Sequence, residues 1–157
     1  MTVPGRARVT VNQKILVLLL DYAKYADRDD ALPQTTQWGM SEALRVRRSH
    51  VTLALQSLER QALVVNRTTR IVGGARRKKA YSLTPLGYAR AQETCALLKS
   101  MPVRIFDADD TEVVLAHATE RIGGAYDLTD LLLCLRPDGV LDPRPLASPP
   151  ASGTCLR

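Results

Sequence analysis

Within residues 63–83, LVVNRTTRIVGGARRKKAYSL, the spacing of apolar residues changes, and that change limits the folds open to the chain. Before it, apolar side chains recur every three or four positions, the helical period. Inside it, Val64-Val65 and Thr68-Thr69 are β-branched and suit a strand, and Gly73-Gly74 suits a turn. Ala80-Tyr81-Ser82-Leu83 suits a returning strand. A two-stranded hairpin alone is marginal in water, so this one has to lean on the helices beside it.

Those helices are readable. In QKILVLLLDYAKYA, apolar residues at Ile15, Leu18, Leu19, Tyr22 and Ala26 predict a first helix, with Asn12 as its N-cap. DRDDALP reads as a polar loop. Thr36 can cap a short second helix, QWGMSEAL, with Met40, Ala43 and Leu44 turned inward. Arg45-Val46-Arg47 makes the turn, and a third helix runs from about Arg48 to Gln61. On it Val51, Leu55, Leu58 and Ala62 are spaced four, three and four, which places them on one core-facing side. After the hairpin, Thr84-Pro85 is a helix start, with Thr as cap and Pro at the first helical position, and LGYARAQETCALLK continues as the fourth helix.

Past Met101-Pro102 the character shifts. VRIF predicts a short strand. Residues 111–122 and 128–135 predict two helices, separated by Gly123-Gly124. From Val103 to Pro143 there are nine acids against three basic residues, and after Leu141 come four prolines with no periodicity. The expected divisions are an N-terminal arm (1–11), a helical and hairpin domain (12–100), a small packing or dimerisation segment (101–143) and a Pro-rich disordered tail (144–157).

Composition narrows the class further. Hydrophobic residues make up 45% of the 157, which excludes disorder throughout. With one Phe and one Trp, the core must be aliphatic. The formal charge of +6 is unevenly placed: residues 45–90 hold eleven Lys and Arg against a single acid, Glu59. Such asymmetry points to a polyanion-binding surface on one part of the molecule. Three scattered cysteines without a C-x-x-C fit reduced thiols. The longest apolar run, Ile15 to Leu20, is too short to span a bilayer, and no signal-peptide cleavage pattern is present. A cytoplasmic location with no membrane partner is therefore expected.

The order helix, helix, turn, helix, hairpin, carried by TQWGMSEALRVRRSHVTLALQSLERQALV, the basic hairpin and YSLTPLG, resembles the winged helix-turn-helix family, most like regulators of the MarR type. The match covers roughly Asn12 to Ser100. It implies an α+β, mainly α fold: three helices, a two-stranded wing and a further helix, here followed by a small acidic C-terminal α/β segment. It also implies double-stranded DNA as partner and a homodimer on two half-sites. The first and fourth helices and the segment after Met101 are the candidates for dimer contacts. One position departs from the family pattern. Where a Gly often stands between the two motif helices, this chain has Arg45, at a place where a positive φ is costlier for a residue with a Cβ.

In that family pose the third helix enters the major groove. The face opposite its core stripe then offers Ser49, Thr52, Leu53 and Gln56 to base edges. Gln56 can pair with adenine N6 and N7, and Leu53 or the Thr52 methyl can touch a thymine methyl. Backbone contacts are expected from Arg47, Arg48, His50 and Arg60, and from the wing residues Arg67, Arg70, Arg76, Arg77, Lys78 and Lys79. A cation at a helix N-terminus is locally unfavourable, so Arg47 and Arg48 there imply an anion arriving from outside.

Other constellations fail. VRIFDADDTEVV looks like the D-x-D-x-T motif of haloacid-dehalogenase-type phosphatases, with Asp107 and Asp109. Fewer than fifty residues follow Asp109, too few for that architecture, so a polar loop capping the next helix is the better reading. His50 and His117 have no Cys or His at zinc spacing, neither Gly-Gly pair ends in GK[ST], and no Ser/His/Asp arrangement stands out. The expectation is a sequence-specific DNA-binding regulator with no enzymatic activity, cofactor or metal, open to a small-molecule effector. The alternative is a winged-helix module binding protein or RNA, at the front of a larger signalling protein.

Overall fold

Helix α1 (Val11–Asp21) begins at Thr10, whose hydroxyl accepts from the Gln13 amide while the Gln13 side chain accepts from the Thr10 N–H. This reciprocal pair is a capping box, and it moves the start two residues ahead of the expected cap, Asn12. The computed structural model describes residues 9–106, 112–123 and 126–144. The N-terminal arm before residue 9, the Asp107–Thr111 motif and the tail from residue 145 lie outside them. The described residues divide into two compact units that part between Leu98 and Lys99.

In the first unit, α1 is followed by a single 3-10 turn at Ala23–Tyr25 rather than a continuous helix to Ala26. Next comes β1 (Asp30–Ala31), a strand where the sequence suggested only a polar loop. Two residues carry no periodicity. What makes them a strand is the partner: β1 runs parallel to β2 (Val64–Ile71), with Asp30 opposite Arg70 and Ala31 opposite Ile71. The pairing is fixed from the β2 side, where the Thr69 hydroxyl donates to the Asp29 carbonyl at 2.7 Å.

Helix α2 (Gln37–Leu44) is capped by Thr36, whose Oγ1 accepts from the Gly39 amide at 3.1 Å. Gly39 is fixed by space: a Cβ there would sit 1.8 Å from the Pro33 carbonyl oxygen. Arg45 ends α2 at φ 53°, ψ 44°, the left-handed conformation that a glycine usually fills. The turn is closed by Ser41, whose hydroxyl donates to the Val46 carbonyl at 2.6 Å. Helix α3 (Arg48–Arg60) follows.

β2 pairs antiparallel with β3 (Arg77–Leu83) in register from Val64–Leu83 to Arg70–Arg77, around a turn with Gly73 at φ 77°. The hairpin is thus longer than the expected strands, and Arg77, Lys78 and Lys79 lie on β3 itself. Helix α4 (Pro85–Lys99) starts as expected at Thr84, which accepts from the Gly87 amide at 2.9 Å. The same hydroxyl donates to the Ala62 carbonyl at 2.7 Å, tying α4 to the end of α3.

The core gathers Ile15, Leu16, Leu18 and Leu19 of α1, Met40 and Leu44 of α2, and Val51, Ala54, Leu55 and Leu58 of α3 around Leu63, Val64, Tyr81 and Ala91. Ala62 does not join it. It leaves the helix at φ 59° and is exposed, and Leu63, one residue on, takes the buried place. Ile15 to Leu19 are all buried, so the apolar content of α1 is absorbed inside the chain. Helix α4 differs: Leu86, Tyr88 and Leu97 remain exposed.

The second unit has strand order β5-β4-β6. β4 (Pro102–Ile105) pairs antiparallel with β5 (Glu112–Val114) and parallel with β6 (Val140–Leu141). The expected 111–122 helix is helical only from Leu115, as a 3-10 turn (Leu115–His117) that runs into α5 (Ala118–Ile122). Its front is β5, because Val113 and Val114 are β-branched and meet a strand partner. Helix α6 (Leu128–Cys134) is where expected, capped by Asp127. Helices and small sheets together make the chain α+β. The first unit, with its helix-turn-helix pair α2–α3 and the β2–β3 wing, is a winged helix-turn-helix.

Candidate nucleic-acid interface

Helix α3 differs at its head from the other helices of its unit. α1, α2 and α4 each have a threonine hydroxyl accepting a first-turn amide. No side chain caps α3, its first turn holds no acid, and its leading residues are Arg47 and Arg48. The amide ends and two guanidinium groups therefore add positive potential at one place, with nothing on the helix to offset it.

Along α3, Ser49, Leu53 and Gln56 are exposed on the side away from Val51, Leu55 and Leu58. Leu53 is 63% exposed. Thr52 is half-buried and points toward α2. Its hydroxyl donates to the Arg48 carbonyl at 2.9 Å, with Gln37 Oε1 at 3.3 Å. Gln37 in turn donates through Nε2 to the Tyr81 hydroxyl at 3.0 Å. One glutamine of α2 thus links α3 to β3. His50 is exposed at the helix head. Arg60 lies at the far end of α3, with Nε 3.4 Å from the Gln56 carbonyl.

The wing cations separate into two groups. Arg48, Lys78 and Lys79 line one groove of about 680 Å³ together with Thr36, Gln37 and Trp38. Arg76 and Lys78 line a second, of about 400 Å³, between α2 and the hairpin turn. Arg67 is turned elsewhere, where its guanidinium donates to the Arg28 carbonyl at 2.7 Å and the Asp30 carbonyl at 3.3 Å, bracing β1. Arg28 also binds Asp30, and this hydrogen bond holds the Asp30 carboxyl below the usual carboxylate range. Arg77 donates to the Thr68 carbonyl across the hairpin at 3.3 Å, and Arg70 is exposed near the turn. Sequence reasoning passed over Trp38, which is 56% exposed between the two grooves. The available signal was its place in QWGMSEAL, one residue after Gln37 and away from the inward Met40 and Leu44.

A small cavity between the wing and the end of α1, lined by Leu19, Tyr22, Leu32, Tyr81 and their neighbours, holds about 30 Å³. Among the described residues no His, Cys, Asp and Glu cluster could hold a metal, and no helix is long and apolar enough to cross a membrane.

No protein-family model matches the chain, and no curated protein matches it. Solved structures do. A mutant of Lactococcus lactis ZitR in apo form is 24% identical, over 55% of this chain and 55% of that one, at a TM-score of 0.42. A mutant of S. aureus MepR is 27% identical, over 55% and 54%, at 0.38. A MarR family transcription regulator is 27% identical, over 56% and 50%, at 0.39. The chain spans about half the length of the solved proteins it matches. By its own topology the first unit is a winged helix-turn-helix, and the solved structures to which the chain is similar include a MarR family transcription regulator.

Proposed function

We propose that the first unit binds double-stranded DNA sequence-specifically and that the chain acts as a dimeric transcriptional regulator. The observation that carries this reading is the uncapped, acid-free head of α3, led by Arg47 and Arg48, with Arg48 lining the same groove as Lys78 and Lys79 of the wing. α3 enters the major groove. Ser49, Leu53 and Gln56 meet base edges there, and Thr52 contributes its methyl, its hydroxyl being engaged on the protein. Arg47, Arg48 and His50 hold phosphates at the helix head, while Arg70, Arg76, Arg77, Lys78 and Lys79 of the wing hold the backbone beyond it. Arg60, at the far end of α3, meets phosphate at the distal edge. Arg67 contributes through the fold of β1, which shapes the base of the wing. No step of this function makes or breaks a covalent bond.

A second reading is favoured by Leu53 alone. Leu53, exposed at the centre of the face, would there meet a protein partner. Selection from a random duplex pool separates the two. Enrichment of one sequence, with half-sites about one helical turn apart, is the expected result. A pool that returns unenriched contradicts sequence-specific binding and favours the protein-interaction reading.

A further inference from the structure

Trp38 is the only tryptophan of the chain, and it stands 56% exposed on a face of α2 that packs on nothing in its own unit's core. A buried tryptophan is a large source of stability, so leaving this one half in water gives the fold little. Its surroundings are specific. On one side lies the groove with Arg48, Lys78 and Lys79, and on the other the groove with Val72, Gly73 and Arg76. Every ionisable residue lining either groove is a cation. A channel with cationic walls and a flat aromatic ridge fits a polymer that alternates phosphates with apolar rings.

We propose that Trp38 is the seat of the DNA strand that crosses from α3 to the wing. Its indole packs against one deoxyribose and its Nε1–H donates to an adjoining phosphate oxygen, while Arg48 and Lys78–Lys79 hold the phosphates on either side. This rests on the DNA-binding reading above and deepens it, because that reading needs only charge at this place. The partner is a duplex rather than a single strand. α3 and the wing flank the groove, and a base-paired strand turns its sugar and phosphate, not its bases, toward the protein. The contact carries no sequence information, since every nucleotide has the same sugar.

Because the tryptophan is unique, its own fluorescence reports the contact. The wild-type chain is titrated with its selected duplex and with a random duplex, while acrylamide quenching of Trp38 and anisotropy of the labelled duplex are followed together. The expected result is that quenching falls saturably with the same midpoint as binding, on both duplexes. Trp38→Ala should weaken both about tenfold with an unchanged salt slope, because no charge is removed. Trp38→Phe, which keeps an aromatic ring but lacks the N–H, should lose less. Circular dichroism of both variants should match wild type, as the side chain is outside the core. In contrast, Lys78→Ala should reduce the salt slope by about 0.9.

If the wild type binds duplex while Trp38 stays open to acrylamide, or if Trp38→Ala binds as wild type does, this proposal falls and the DNA-binding reading stands. A single-stranded oligonucleotide that protects Trp38 at lower concentration than the duplex also overturns the strand-crossing role. A wild type that binds no duplex at any salt overturns the reading on which it rests.

Discussion

Arg45 holds φ 53° and ψ 44° at the turn between α2 and α3. For an L-residue with a Cβ that conformation costs roughly 1–2 kcal/mol. Glycine removes the strain but gives the unfolded chain more freedom, which returns about 0.4–1 kcal/mol. Arg45→Gly should therefore stabilise the protein by up to about 1 kcal/mol, whereas Arg45→Ala, which keeps the Cβ, should not. Denaturant midpoints at equal slope check this. The second residue-scale prediction concerns Gln56. It is exposed on α3 one turn from Leu53, and its amide matches the adenine N6 donor and N7 acceptor. Gln56→Ala should cost about 1–3 kcal/mol on the selected site and relax preference at one base pair per half-site. Random duplex should bind as before, because the charge is untouched. Binding measured against all four base pairs at each position checks it, and an equal loss on every sequence would remove Gln56 from the base readers. Residues whose role is local were legible in the sequence: Thr36 and Thr84 as caps, and the awkwardness of Arg45. Those whose role depends on distant chain were not. Nothing in the sequence near Thr52 says that Gln37 sits 3.3 Å away, or that Arg67 will turn to the carbonyls of residues 28 and 30.

At the scale of elements, long periodic segments were legible and short ones were not. α3 and α4 carry enough turns for the 3.6-residue period to stand out. β1, β5 and β6 have two or three residues each and exist because a longer strand lies alongside. The wing shows both effects. Its existence followed from Gly73-Gly74, but its length followed from pairing, which draws Arg77, Lys78 and Lys79 into β3. That placement orders the cations in a strand instead of leaving them at a loose tip. It also sharpens the test of the wing. Replacing Arg76, Arg77, Lys78 and Lys79 by Ala should weaken binding to all duplexes alike and lower the log–log salt slope by about 0.9 for each phosphate left without its cation. Arg77 already donates to the Thr68 carbonyl, so it should contribute less to that change than Lys78 or Lys79. Single substitutions measured between low and moderate salt give the order. An unchanged affinity and slope for the fourfold variant would take the wing off the DNA.

For the whole molecule, the open question is how many copies act together. The apolar excess of α1 gives no argument for assembly, since Ile15 to Leu19 are buried within the chain. α4 gives one. Leu86 and Leu97 are eleven residues apart, three helical turns, and so share a face. They are 56% and 62% exposed, with Arg90 and Glu93 between them in a salt bridge at 3.8 Å. A stripe of leucine, arginine, glutamate and leucine is self-complementary when two such helices meet antiparallel, which is what a twofold interface requires. We therefore expect a homodimer with α4 at its centre, sedimenting at micromolar concentration at twice the 17.3 kDa chain mass. Leu86→Glu with Leu97→Glu should sediment as the single chain and remain folded, because neither side chain belongs to the core. The consequence for DNA follows from effective concentration. In a dimer, the second half-site is bound at the millimolar local concentration set by the first. The double variant should therefore lose affinity for the two-half-site duplex by about a hundredfold or more while binding an isolated half-site as the wild type does. A wild type that sediments at 17.3 kDa removes the dimer. A double variant that remains dimeric moves the interface away from α4.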